Sequence, residues 1–304
     1  MDPAKKARDI LYSVCRTCLG PFMDEREKAK LRRNVMALPV TLEYPFDPEA
    51  KLLRSIGIKP PMFDIGANTG FYSDILEDIA GSEQLYLFEP LPHLHNYLKK
   101  RFRKAHVFEL ALSNQEGSRT IRVPFIDGKR FDTRATFGEH REPGQTGFEE
   151  IEVRLTTLDT LTRKLGLDSI GFMKIDVEGH EAEVLKGGIE TLTRFAPLIL
   201  IEIEARHHGF PIATIFSTLE DIGYKGYFIN VESYSLVETG QFNCKRDQKQ
   251  EHLQSRQFLR YLNNFFFVPE ALEKDFISRV TAFLEEEKLS VRKRFSRRKS
   301  NGDE

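Results

Sequence analysis

Residues 61–76, Pro-Met-Phe-Asp-Ile-Gly-Ala-Asn-Thr-Gly-Phe-Tyr-Ser-Asp-Ile-Leu, constrain the fold more than any other stretch of the chain. A short apolar run ends on Asp64, Gly66 and Gly70 bracket a tight turn, and a helical pattern begins at once. A strand that passes through a glycine turn into a helix is how an α/β domain brings its backbone against a nucleotide-like ligand. The acid at the strand's end narrows the choice. A carboxylate beside the turn repels a diphosphate and suits a cationic ligand, such as one carrying an ammonium and a sulfonium. The plain alternative is a strand–turn–helix junction that uses glycine only for its φ freedom.

The 304 residues are enough for one large domain or two modest ones. A net charge of −1 argues against a polyanion binder, so no nucleic-acid partner is expected. Lys288, Arg292, Lys293, Arg294, Arg297, Arg298 and Lys299 nevertheless crowd the C-terminus. Such an end reads as a disordered tail, with weak contact to an anionic membrane as the minor alternative. Cys15, Cys18 and Cys244 form no even disulfide framework. Cys15 and Cys18 lack a second pair at zinc spacing, with only His252 near Cys244, and Ile10, Leu11, Val14 and Cys18 fit one helical stripe. No bound metal is expected. No signal peptide is evident, no apolar run reaches the roughly 20 residues of a membrane span, and a cytoplasmic setting is the default.

Four regions emerge: a helical N-terminal cap over 1–59, the main domain over 60–230, an insert with the last strand and a C-terminal helix over 231–287, and the basic tail over 288–304. From residue 62 strands and helices alternate. Strands are expected at Met62–Ile65, Gln84–Glu89, His106–Leu112, Ile170–Asp176, Leu198–Glu204, Tyr224–Ile229 and Asn264–Val268. Helices are expected at Phe71–Ile79, Pro92–Arg103, Glu181–Leu192 and Ile212–Ile222. Continuous apolar strands alternating with helices predict a doubly wound sheet covered on both faces. Between the third and fourth strands, Ser118–Val123 and Glu150–Leu155 alternate with period two and predict an added β-hairpin. The Pro124–Glu149 stretch between them reads as a long loop, either functional or disordered. The 231–263 insert is polar, with a short helical pattern around Phe258 and Leu262.

Three further motifs carry chemistry. Glu89 ends the second strand, about twenty residues beyond the glycine turn, where an acid accepts hydrogen bonds from ribose hydroxyls. Ala111, Leu112 and Asn114 follow the third strand, where an adenine ring would pack; Asn114 is equally a turn former. In Phe172-Met-Lys-Ile-Asp-Val-Glu-Gly-His-Glu181, Phe172, Lys174 and Asp176 share one strand face. Lys174 in an apolar strand needs a partner, and Asp176 is the obvious one. Asp176 and Glu178 then emerge at the carboxyl edge of the sheet, where such folds bind ligands. A structural ion pair is the plain alternative. A dinucleotide turn fits poorly, because position 64 is Asp and position 68 is Asn, and no Gly-Lys-Ser/Thr marks a phosphate loop.

Asp64-Ile-Gly-Ala-Asn-Thr-Gly70, Phe88-Glu-Pro90, Ala111-Leu-Ser-Asn114, Lys174-Ile-Asp-Val-Glu-Gly-His-Glu181, Leu185-Lys-Gly-Gly188 and Leu200-Ile-Glu-Ile-Glu204 together resemble the FkbM family of S-adenosylmethionine-dependent methyltransferases. The resemblance covers roughly residues 60–230. It implies a class I methyltransferase fold, a Rossmann-like sheet of seven strands with the last antiparallel. It also implies methylation of an oxygen on a sugar, glycan or secondary metabolite. The cofactor residues it implies are Asp64, Gly66, Asn68, Gly70 and Glu89.

On that footing Asp176 is the first choice for base or acceptor-orienting group, with Lys174 setting its charge state and Glu178 as second acid. His207, whose side chain titrates near neutrality, is a further catalytic candidate, with loop capping as the alternative. Asp176, Glu178 and Glu202 form a conceivable but unsupported Mg²⁺ set. In the 124–149 loop, Phe125, Phe131 and Phe137 offer apolar faces, and Arg130, Arg134 and Arg141 are positioned for an anionic acceptor. The rival readings are an NAD-type oxidoreductase and a non-catalytic α/β binding module.

Overall fold

The computed structural model describes residues 48–254 and 260–300. The expected cap up to residue 47, with Cys15 and Cys18, lies outside the described residues, as do Phe258 and residues 301–304. Twelve strands follow in chain order: β1 (Met62–Ile65), β2 (Leu85–Phe88), β3 (His106–Phe108), β4 (Ala111–Leu112), β5 (Gly117–Ile126), β6 (Lys129–Arg130), β7 (Gln145–Thr156), β8 (Phe172–Ile175), β9 (Leu198–Glu202), β10 (Tyr224–Asn230), β11 (Ser235–Glu238) and β12 (Asn264–Pro269). Eight of them form one sheet in the order β11-β10-β12-β9-β8-β1-β2-β3. β3, β2, β1, β8 and β9 are parallel, and β12 lies antiparallel between β9 and β10. The doubly wound sheet with an antiparallel last strand is as expected. The eighth strand is not: β11 arises within the 231–263 insert and extends the sheet beyond β10.

Strand residues alternate between two cores, which is why their sequences are apolar throughout. Met62, Phe172, Leu200, Phe266 and Val268 face one core, with Leu76 of helix Phe71–Ala80 and Val280 of helix Glu270–Ser300. Phe63, Ile65, Met173, Ile199, Phe265 and Phe267 face the other, with Leu161, Leu185, Leu192 and Ile215 of the opposite helices. Leu52 and Leu53, just before the main domain, are fully buried in the first core. The backbone of residues 288–300 continues the last helix, a correction to the disordered tail expected there. Among the described residues no helix is long and apolar enough to cross a membrane.

Three expected elements differ. The third strand divides at Glu109–Leu110: β3 stays in the main sheet, while β4 leaves it to pair with β7. The hairpin is present and longer, β5 pairing antiparallel with β7 in a separate sheet of order β4-β7-β5-β6. Much of the expected 124–149 loop is therefore strand. Asp127 and Gly128, both with positive φ, make the two-residue turn into β6, and only the segment between β6 and β7 is irregular. Finally, the expected helix Glu181–Leu192 breaks into Glu181–Lys186 and Ile189–Phe195. The break falls at two glycines that close neighbours require. A Cβ on Gly187 would stand 2.0 Å from the Ser113 carbonyl oxygen, and one on Gly188 would stand 2.7 Å from Leu158 Cδ2.

Gly187 has an ordinary φ of −80°, so any cost of a side chain there is purely one of space. Gly187→Ala is expected to lower stability by about 1–3 kcal/mol, the cost of overpacking. Urea unfolding measures this; a wild-type midpoint would refute the close approach.

Candidate active site

A cleft of about 350 Å³ opens at the carboxyl ends of β1, β2, β8 and β9. Its wall takes Asp64, Gly66 and Asn68 from the first turn, Glu89 from the end of β2, Ala111 and Leu112 from β4, Asp176 and Glu178 from the end of β8, and Glu202 from β9. The segment after β6 closes one side with Asp132, Thr133, Ala135 and Phe137. Asp64, Glu89, Asp132, Asp176, Glu178 and Glu202 all line this space, and among the described residues no lysine or arginine does.

The glycine turn and the end of β8 touch directly. Asp176 N–H donates to the Ile65 carbonyl at 2.9 Å, and a Cβ on Gly66 (φ +84°) would meet the Asp176 carbonyl oxygen at 1.8 Å. Only glycine fits there. The turn then hands its amides to β2: Gly66 and Ala67 N–H both donate to the Phe88 carbonyl at 3.0 Å. Asn68 takes a left-handed φ of +47°, which aims its N–H at one Glu89 carboxylate oxygen at 2.9 Å. Leu91 N–H reaches the other oxygen at 2.8 Å. Burial pushes the Glu89 carboxyl up to about 7, against the lowering effect of those two amides. Burial likewise pushes Asp64 up to about 6, opposed by the Ser73 hydroxyl, which donates to its Oδ2 at 2.5 Å, and by the charge of Lys174.

Lys174 lies beneath the cleft rather than in its wall. It is fully buried, beside Asp64 in strand register, with Nζ 3.8 Å from Asp176 Oδ2 and 4.8 Å from the Tyr72 ring centroid. It donates to Asn264 Oδ1 of β12 at 3.3 Å. The ion pair with Asp176 is as the strand alternation predicts; Tyr72 and Asn264 are additions from elements remote in sequence. Burial raises the Asp176 carboxyl above its usual range despite Lys174, and places Glu178 and Glu202 well above theirs. Asn263 Nδ2 holds Glu202 Oε1 at 2.7 Å.

Beyond Glu178 the acids meet arginine. Arg134 Nη1 stands 3.8 Å from Glu178 Oε2 and 4.0 Å from Glu204 Oε1. Arg206 grips Glu204 and donates to Glu142 Oε1 at 2.7 Å. Burial works to raise Glu204, but Arg206 outweighs it and keeps that carboxyl below its usual value. Arg130 is paired with Asp132 and Glu149, and Arg141 is exposed. The arginines expected for an anionic acceptor are thus engaged by the protein's own carboxylates or turned to solvent.

Not every residue picked from sequence reaches the cleft wall. Gly70 packs against Phe102, where a Cβ would stand 2.7 Å from Cε2. Asn114 is exposed outside the cleft. His207 sits behind Glu178, its Nδ1 3.6 Å from Glu178 Oε2, and burial pushes it down to about 3. It is therefore a neutral imidazole at neutral pH. Sequence reasoning missed Tyr72, Arg206, Tyr261, Asn263 and Asn264, whose neighbours are set by long-range pairing. Cys244 is exposed, and among the described residues it joins no metal-ligating cluster.

Residues 64–226, more than half of the chain, match the methyltransferase FkbM domain. The chain belongs to the FkbM methyltransferase family. It is similar to the 2-O-methyltransferase NoeI of Sinorhizobium fredii, at 30% identity over 148 residues that make up 44% of this chain and 60% of NoeI. It is also similar to the AMB antimetabolite synthetase AmbE of Pseudomonas aeruginosa, at 23% identity over 223 residues, 62% of this chain and 10% of AmbE. The chain thus spans less than two thirds of the length of either relative. Among solved structures it is similar to a methyltransferase FkbM from Methylobacillus flagellatus (TM-score 0.42, 16% identity, 69% of this chain and 43% of that one). Another is a SAM-dependent methyltransferase from Aquifex aeolicus (TM-score 0.34, 19% identity, 79% of this chain and 96% of that one).

The cofactor of this family is S-adenosylmethionine, and the donor set of the cleft fits it. Six carboxylates in a lining without lysine or arginine attract a ligand whose sulfonium and ammonium are cationic. Glu89 has two lone-pair sites left after its amide contacts, which suits a pair of ribose hydroxyls. Ala111 and Leu112 supply apolar wall beside it. A nicotinamide dinucleotide, with its diphosphate, suits this lining poorly.

A cation beside Asp64 and hydroxyl donors at Glu89 would favour the ionised carboxylates, so binding in that pose below their values of about 6 and 7 would expel protons. Affinity for S-adenosylmethionine is therefore expected to fall about tenfold or more between pH 7.5 and 5. Asp64→Asn and Glu89→Ala should each weaken binding at pH 7.5, and Asp64→Asn should flatten the pH profile. Calorimetric titration reads all three; a pH-independent affinity would count against both assignments.

Proposed function

We propose that this methyltransferase acts on oxygen, moving a methyl group onto a hydroxyl of a sugar, glycan or secondary metabolite, with Asp176 as the base. The observation that carries the reading is the position of Asp176. Its backbone abuts the glycine turn, and its carboxylate lines the cleft that Asp64 and Glu89 share. The similarity to NoeI, named a 2-O-methyltransferase, supports oxygen as the acceptor atom. Engagement of Arg130 and Arg134 by internal carboxylates supports an acceptor without a phosphate or carboxylate at the transfer site.

When bound, S-adenosylmethionine supplies a methyl group already activated by positive sulfur. The chain's task is to hold the acceptor oxygen in line with that methyl and to take its proton. Alignment of this kind lowers a barrier by roughly 7–11 kcal/mol. Asp176 accepts the hydroxyl proton; its upward shift by burial makes it a better base than a solvated carboxylate, and Lys174 keeps it from being fully neutralised. Glu178 and Glu202 flank it as acceptors for other hydroxyls of the substrate. Phe137 and the 131–137 segment exclude water from one side.

The direct test is transfer of labelled methyl from S-adenosylmethionine to purified sugars, glycans and metabolite fractions. A methyl ether survives alkali whereas a methyl ester does not; alkali-labile product would overturn transfer to hydroxyl. On a confirmed acceptor, Asp176→Asn is expected to lower kcat by about 10²–10⁴ with cofactor affinity little changed. Unchanged turnover would remove Asp176 from the chemistry.

A further inference from the structure

Behind Glu178, outside the cleft wall, two segments remote in sequence bring together groups that the methyl-transfer reading leaves unused. His140 and Glu142 lie on the irregular stretch between β6 and β7, and His207 lies in the short turn Ala205–His207 after β9. One ligand atom from each falls within 4.8 Å of the other two. Glu142 Oε1 is 3.7 Å from His140 Nε2 and 3.9 Å from His207 Nε2. The two imidazoles stack at 4.4 Å between centroids and 20° between planes.

We propose that His140, Glu142 and His207 bind one divalent transition-metal ion, of which zinc is the type, and that the ion clasps the segment before β7 to the turn after β9.

Orphaned polar atoms argue for it first. The His207 side chain is 3% exposed, and its Nε2 is buried without a hydrogen-bond partner. That nitrogen faces Glu142 Oε1 and Glu204 Oε2, each at 3.9 Å. Arg206 already holds both carboxylates, and an ion seated between them and Nε2 would give that buried nitrogen the partner it lacks. His140 Nδ1 is a second buried nitrogen without a partner.

The surroundings supply outer contacts for two of the three ligands. A ligating histidine directs its other ring N–H to a carboxylate, and a ligating carboxylate is itself hydrogen-bonded. His207 Nδ1 has Glu178 Oε2 at 3.6 Å, and Glu142 receives Arg206 Nη1–H at 2.7 Å. Two imidazoles and one carboxylate suit zinc and its first-row neighbours, whereas Mg²⁺ and Ca²⁺ take oxygen sets. A tetrahedral ion with bonds of about 2.0–2.1 Å sets ligand atoms roughly 3.3 Å apart. The two separations from Glu142, 3.7 and 3.9 Å, lie within about 0.6 Å of that value.

The test uses the full chain, stripped with chelator and given Co²⁺ or Zn²⁺. Expected are one equivalent retained after dialysis by elemental analysis, visible absorption bands from bound Co²⁺, and a rise in melting temperature with Zn²⁺ that equal Mg²⁺ does not give. At 100 times its Kd the ion raises the folded-to-unfolded ratio about 100-fold. His140→Ala and His207→Ala should abolish retention, bands and melting shift. His208→Ala should keep all three, because His208 faces Glu181 at 3.1 Å instead. Metal-free melting curves check that each variant folds, and if His207→Ala does not, His140→Ala and Glu142→Gln decide. A wild-type chain that retains no Zn²⁺ or Co²⁺ overturns the proposal. So do folded His140 and Glu142 variants that retain as much as the wild type.

Discussion

The fully buried ammonium of Lys174 is the charge on which the rest of the site depends. An ammonium removed from water is costly unless opposite charge and hydrogen bonds surround it. Here β1 contributes Asp64 in register, β8 its own Asp176, β12 the amide of Asn264, and the first helix the ring of Tyr72. Remove the lysine and the two acids face each other across a dry sheet edge. Remove the acids and the lysine has no counter-charge. The strands must therefore stack in this one register, because a slip by one residue turns these groups to the opposite core.

One cation under six carboxylates leaves the cleft short of positive charge. Asp64, Glu89, Asp176, Glu178 and Glu202 all respond with raised values, a sign that burial disfavours their ionised forms in the free protein. A cationic ligand relieves that tension. Stability given up by these crowded carboxylates reappears as affinity, the exchange that functional sites commonly make.

Much of this was legible in the sequence where chemistry is local. Asp64, Gly66 and Asn68 occupy one turn, Glu89 ends the next strand, and Lys174 and Asp176 share a face by strand alternation alone. What was not legible depends on chain segments meeting from afar. Arg134 in isolation reads as an acceptor clamp; only the fold shows Glu178 and Glu204 already holding it. His207 reads as a neutral-range base, and only burial among other charges shows why it stays unprotonated. The need for glycine at the helix break, Gly187-Gly188, follows from Ser113 and Leu158 lying against those two residues, and neither neighbour is visible in helical periodicity. Asn263, Asn264 and Tyr261 sit in and beside a polar insert whose composition announces only a loop.

The placement of β12 has a consequence for how the molecule is made. It is the last strand among the described residues, yet it lies inside the sheet, between β9 and β10. Until it emerges from the ribosome those two strands present open edges, and Lys174 waits 90 residues for the amide of Asn264. Open edges invite wrong pairing, and long-range contacts close slowly. The chain's vulnerable interval during synthesis is thus the stretch between residue 230 and residue 269, and the final strand acts as the keystone that ends it.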